Sequence, residues 1–313
     1  MFRLYKQRNF NLLINDTFAF MRQCGKSYFA AYFVINGGPL LVLALLTYTI
    51  GDTLFGAVVS GATSPGGIDS IEGNLTDNSA LLFGAGAAGA IVVLLISVFT
   101  YSFPVVYLKL MEDGKTPATK DILRALFARI GSVAMFLLLA LLTFVPIMII
   151  ASALSFLLAA IVLGIPFAII LFAAISSWIT LSFYDYLSNK PNYLQAMKNG
   201  FTILFQNFWA NIGSTIIFYL IIFVLQGIVS FIPSIIGMGS LLTNPDDFQR
   251  GDPSAYSLAA LVVILTIILS MLLAYILSNL LLINQGMIYY SGREEKENHS
   301  LHADIDLIGN ESE

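Results

Sequence analysis

From Ile130 to Phe183 the chain carries no charged residue and no histidine. A single helix of that length would reach about 80 Å at 1.5 Å per residue, more than twice the hydrocarbon thickness of a bilayer. The stretch therefore has to fold back on itself within a membrane. Composition agrees: 58% of the 313 residues are hydrophobic, 11% are charged, and the mean hydropathy is +0.83. Soluble domains carry roughly 25% charged residues.

Dividing the apolar stretches at about 20 residues per crossing predicts six spans, near 28–50, 80–108, 131–153, 164–183, 208–236 and 255–288. Gly164-Ile165-Pro166 marks the turn between the third and fourth. All of the 15 basic residues except Arg250 fall in four segments: before span one, 109–129, 184–207, and the segment after span six. By the positive-inside rule this predicts cytoplasmic termini, with loops near 51–79 and 237–254 on the opposite side.

The basic segments contain amphipathic stripes. Phe10, Leu13, Ile14, Thr17, Phe18 and Met21 share one helical face within residues 1–27. Ile122, Leu123, Leu126, Phe127 and Ile130 form a second stripe after Thr116-Pro117, predicting an interfacial helix over 118–130. Leu194, Met197, Phe201, Leu204 and Phe205 form a third over 191–207, opened by Pro191. The expected architecture is an all-α integral membrane protein: a cytoplasmic interfacial helix (1–27), a six-span domain (28–290) and a cytoplasmic tail (291–313). Ala128-Arg129-Ile130-Gly131-Ser132 mirrors Ala210-Asn211-Ile212-Gly213-Ser214, which suggests three repeats of interfacial helix plus transmembrane hairpin.

The predicted spans hold no Asp, Glu, Lys, Arg or His, the groups that mark proton relays and buried counter-ions. Cys24 is the single cysteine, and the two histidines, His299 and His302, lie in the tail. No phosphate loop, zinc motif or nucleophile elbow is present, so the sequence offers no catalytic, metal or cofactor constellation and no nucleic-acid signature. Arg22 and Lys26 beside Cys24 suggest a depressed thiol pKa.

Three features remain as candidate sites. Asn36-Gly37-Gly38-Pro39 interrupts span one and reads as a cavity lining or hinge, or as the tolerated glycine and proline of a membrane helix. Gly84, Gly86 and Gly89 make a small-residue face on span two, suited to close helix packing. Leu301, Ile305, Leu307 and Ile308 give the acidic tail an apolar end that reads as a docking peptide. Asn279, Asn284 and Gln285 supply amides at one end of span six.

The segment from Tyr193 to Gly213, YLQAMKNGFTILFQNFWANIG, resembles the A-x-x-x-S-F-x-L-x-x-x-N-F-W signature of six-span bacterial proteins grouped with the glycerophosphoryl diester phosphodiesterase membrane domain. Leu163-Gly164-Ile165-Pro166 is also similar to that group, and Lys6–Phe29 with Asp304–Gly309 to its uncharacterised Bacteroidota members. Gly200 stands where the group commonly has a serine. The resemblance implies a bacterial inner-membrane protein. It carries over no catalytic residue, because the phosphodiesterase chemistry belongs to a separate soluble domain.

The combined expectation is a non-enzymatic accessory or scaffold subunit of a larger inner-membrane complex, serving protein secretion, insertion or envelope maintenance, with membrane lipids and other inner-membrane proteins as partners. The alternative is a carrier or binder of lipids or other amphiphiles, with the interrupted first span opening a groove. An intramembrane enzyme ranks last, for want of a base or metal ligand.

Overall fold

A computed structural model describes residues 2–159, 164–243 and 253–298. Among them every regular element is an α-helix: α1 (Phe10–Thr63), α2 (Ile68–Asp77), α3 (Ser79–Glu112), α4 (Thr119–Ala159), α5 (Gly164–Asn189), α6 (Tyr193–Gln206), α7 (Phe208–Thr243) and α8 (Pro253–Glu297). Six of these, all but α2 and α6, are long and apolar enough to cross a membrane. The protein is a polytopic all-helical membrane protein.

The helix ends follow local chemistry. Asn9 caps α1, its Oδ1 accepting from the Leu12 N–H at 3.0 Å. Asn192 caps α6 in the same way through the Gln195 N–H at 2.8 Å. Gly114, at φ 72°, and Lys190, at φ 55°, follow the ends of α3 and α5 in the left-handed conformation that stops a helix.

Several boundaries differ from the sequence reading. The expected helix within 1–27 is not separate from span one: α1 runs unbroken for 54 residues, about 80 Å, and includes Asn36 to Pro39. Residues 118–130 likewise merge with span three in α4. Only the third interfacial helix stands alone, as α6, ended at Asn207. The expected loop at 51–79 is mostly helical, with α1 continuing to Thr63 and α2 following a turn at Gly67, φ 53°. Gly164-Ile165-Pro166, expected at the turn between spans three and four, open α5, and α7 continues to Thr243, into the loop expected at 237–254; residues 160–163 and 244–252 lie outside the described residues.

The chain forms two compact units. The first comprises Met1–Ile35, Val98–Leu220 and Ser278–Glu313; the second comprises Asn36–Ser97 and Ile221–Leu277. In the first, α8 is buried at every residue from Leu282 to Gly292. A helix buried all round is the centre of a bundle rather than its wall. Ser102–Leu108 of α3 and Leu181–Asp185 of α5 are buried in the same way. An aromatic cluster adds to this core: Tyr28 packs edge-on against Phe103 at 4.8 Å and Tyr107 at 4.9 Å. The second unit has few buried residues among those described and exposes Leu41, Leu45, Phe83, Leu94 and Phe223. Such a surface suits hydrocarbon rather than water.

Candidate functional site

The polar groups of the first unit converge on the last third of α8. Asn279 accepts from the Tyr28 hydroxyl at 2.7 Å. The Asn284 amide donates to Thr17 Oγ1 at 3.3 Å, and its Oδ1 faces the Ser214 hydroxyl at 3.4 Å. Gln285 donates to Thr215 Oγ1 at 2.8 Å, itself 3.0 Å from Ser177 Oγ. These amides therefore tie helices together inside the unit, and none is exposed. In an apolar setting each such bond avoids an unsatisfied polar group.

Two carboxyl groups anchor the end of this column. Asp185, 3% exposed, sits one turn before the end of α5. Its Oδ1 accepts from the Asn189 amide at 2.7 Å and the Tyr289 hydroxyl at 3.2 Å; its Oδ2 accepts from the Asn199 amide at 2.8 Å. Glu112, the last residue of α3, accepts from Tyr5 at 2.7 Å and Tyr290 at 2.9 Å. It also pairs with Lys109 at 3.1 Å and Arg293 at 3.2 Å. Arg293 lies over the Tyr5 ring, 5.3 Å from its centroid.

The N-terminal segment closes over this node. The Arg8 guanidinium, fully buried, donates to the carbonyls of Arg3, Leu4 and Lys6 and to Asp16 at 2.8 Å. The Arg8 backbone N–H donates to Ser291 Oγ at 2.8 Å. Burial lowers the Arg8 pKa and the Asp16 carboxylate opposes that. Burial together with the Glu112 carboxylate pushes the Tyr5 phenol well above its usual range.

Burial acts to raise the Glu112 carboxyl, but hydrogen bonds from Tyr5, Lys109 and Tyr290, with the Lys109 charge, outweigh it and hold the group below its ordinary value. A depressed carboxyl contributes stability above its unfolded pKa of about 4.3 and loses it as pH falls through the folded value. The melting temperature of the detergent-solubilised protein is thus expected to fall as the pH drops below about 4.3. Glu112→Gln should flatten that part of the curve; an identical acid limb in the variant would show that Glu112 does not carry it.

The candidate sites read from sequence fare differently. Asn36 is buried in α1, and Gly37, Gly38 and Pro39 continue the helix without a break, so the groove expected from an unwound segment has no counterpart there. A Cβ added at Gly84, Gly86 or Gly89 would meet no atom within 4 Å among the described residues; Gly84 and Gly86 are exposed and Gly89 is buried. In the first unit close approaches occur at Gly200 against Ser182, Gly286 against Leu108 and Tyr184, and Gly292 against Ile203; in the second they occur at Gly51 against Ile264 and Gly61 against Ile71. Leu301, Ile305, Leu307 and Ile308 lie outside the described residues. The Cys24 thiol is raised by burial, opposite to the shift expected from its basic neighbours. No cluster of three or more metal-ligating side chains occurs among the described residues.

Sequence reasoning missed Glu112, Asp185, Tyr289, Tyr290 and Arg293. The one available signal was Asp185 between two tyrosines, a lone acid where an apolar span should end. No protein-family model, curated protein or solved structure matches the chain.

Proposed function

We propose that the chain is a non-enzymatic subunit of a membrane assembly, one whose role is to hold partner membrane proteins. The reading rests chiefly on the state of two carboxyl groups, one buried and one half-buried. Asp185 and Glu112 are the best candidates for acid–base work in the first unit, and each is already engaged by three or more donors from its own chain. A general base needs a free lone pair within reach of a substrate proton. These groups instead cross-link helices. The open faces at Gly84 and Gly86 supply a surface on which a partner helix can approach closely.

The bias of basic residues favours cytoplasmic termini. With the resemblance over Tyr193–Gly213, it supports a bacterial inner membrane as the location. Secretion, insertion and envelope maintenance are the processes such a subunit would serve.

The test is purification of the tagged protein in mild detergent, with a photo-crosslinking residue at position 86. The expected result is one crosslinked membrane protein, also recovered in stoichiometric amount without crosslinking. Crosslinks to lipid alone, with no stoichiometric protein, would overturn the reading. Deleting residues 299–313 then asks whether the tail contributes. A cut at Gly292 is unsuitable, because Arg293 belongs to the Glu112 node.

A further inference from the structure

Three helices of the first unit carry a related pattern on one strip of their surface. In α1, Arg22 and Lys26 are followed by Phe29 and Phe33; in α4, Lys120 and Arg124 by Phe127; in α6, Leu194 and Lys198 by Phe201 and Phe205. Spacings of four and three residues keep the members of each strip within an arc of roughly 60°. The five cations are exposed. So are four of the five rings beyond them: Phe33 is 45% exposed, Phe127 56%, Phe201 45% and Phe205 51%, while Phe29 is half-buried.

Among the described residues the cations are also without counter-charge. Lys6, Arg8, Lys109 and Arg293 all form ion pairs within the fold. Among the described residues Arg22, Lys26, Lys120, Arg124 and Lys198 form none, and Asp121, adjacent to Lys120, pairs with neither member of its strip. On α6, Lys198 divides an apolar edge of Leu194, Phe201 and Phe205 from a polar edge of Gln195 and Thr202. That is the arrangement of a helix lying along a membrane interface.

In α1 and α4 the strip runs from the basic segment toward the span. A phenyl ring three residues after a cation lies about 4.5 Å further along the helix. This sets the cation at the depth of lipid phosphates and the ring at the start of the acyl chains. A zwitterionic headgroup brings its own ammonium and gains little from a second positive charge. An anionic headgroup has no such internal partner.

We infer that the first unit binds anionic phospholipids in the leaflet facing its basic segments. The phosphodiester sits on the pairs Arg22/Lys26 and Lys120/Arg124, and the acyl chains lie beside Phe33 and Phe127. This does not depend on the subunit reading.

The test uses the full chain in nanodiscs of equimolar phosphatidylglycerol and phosphatidylcholine with matched acyl chains, followed by native mass spectrometry of the lipids retained. Phosphatidylglycerol is expected in about fivefold excess, the effect of roughly one basic residue near an anionic surface. Arg22→Gln with Lys26→Gln should lower the excess, as should Lys120→Gln with Arg124→Gln, and all four together should remove it. Arg22→Lys with Arg124→Lys should preserve it, as should Lys115→Gln with Lys190→Gln, which changes exposed cations outside the strips. Equal retention of both lipids by the unaltered protein would overturn the assignment. So would an excess unaffected by the pair variants, or one lost equally on changing Lys115 and Lys190.

Discussion

Gly200→Val is expected to cost about 3 kcal/mol, the upper part of the range for overpacking a filled core. Helix α6 crosses α5 at this residue with backbone against backbone. A Cβ at position 200 would lie 2.6 Å from the Ser182 nitrogen and 2.9 Å from its Cα. Neither atom can rotate away as a side-chain tip would, so one helix has to move. That movement would stretch the Trp178 indole hydrogen bond to the Met197 carbonyl, now 2.9 Å, and the Asn199 contact with Asp185. Gly84→Val is the matched control, since nothing lies within 4 Å of its Cβ position among the described residues. Its cost should stay within about 0.5 kcal/mol. Thermal unfolding in detergent separates the two, and equal melting temperatures would contradict the close crossing of α5 and α6.

Asp185→Ala should be comparably damaging for a different reason. The substitution leaves the buried Tyr289 hydroxyl and the half-buried Asn199 amide without their acceptor, whereas the Asn189 amide, at the exposed end of α5, can turn to water. A buried donor left unmade costs about 1–3 kcal/mol; two of the three finding no substitute gives a loss of about 3 kcal/mol. Asp185→Asn keeps the shape and one acceptor oxygen, so it should lose substantially less. If the alanine and asparagine variants unfold at the same temperature, the geometry of the acceptor is not what matters. The Asn189 and Asn199 resonances offer a second readout, because both amides should shift in either variant.

The six spans were legible because hydropathy is a sum over some 20 residues, and no single misplaced residue overturns it. Helix α6 was legible from Pro191 and from a stripe that ends where Asn207 breaks the helix. The continuity of α1 was not. Taken locally, Gly37, Gly38 and Pro39 predict a break, but a backbone unwound among apolar groups has nothing to bond to, and the helix persists at the loss of one bond to Ile35. The close-packing glycines were misplaced for a related reason. Spacing tells which glycines share a face, as Gly86 and Gly89 do at three residues apart, but it does not tell what meets that face. The carboxyl nodes were hidden because their partners are distant in the chain: Glu112 is joined by Tyr5 and Tyr290, and Asp185 by Tyr289.

The central place of α8 bears on how the protein can be made. It leaves the ribosome after the seven helices α1 to α7, yet it completes the hydrogen bonds of Tyr28, Thr215 and Asp185 and supplies Arg293 to Glu112. Until it arrives, the first five spanning helices carry polar groups with no permanent partner, in a solvent that offers none. A chain stalled or cut before Ser278 is therefore not a smaller version of the protein but an incomplete one with its polar interior exposed, the kind of surface that membrane proteases and chaperones recognise. The core of the first unit cannot close before α8 has been made.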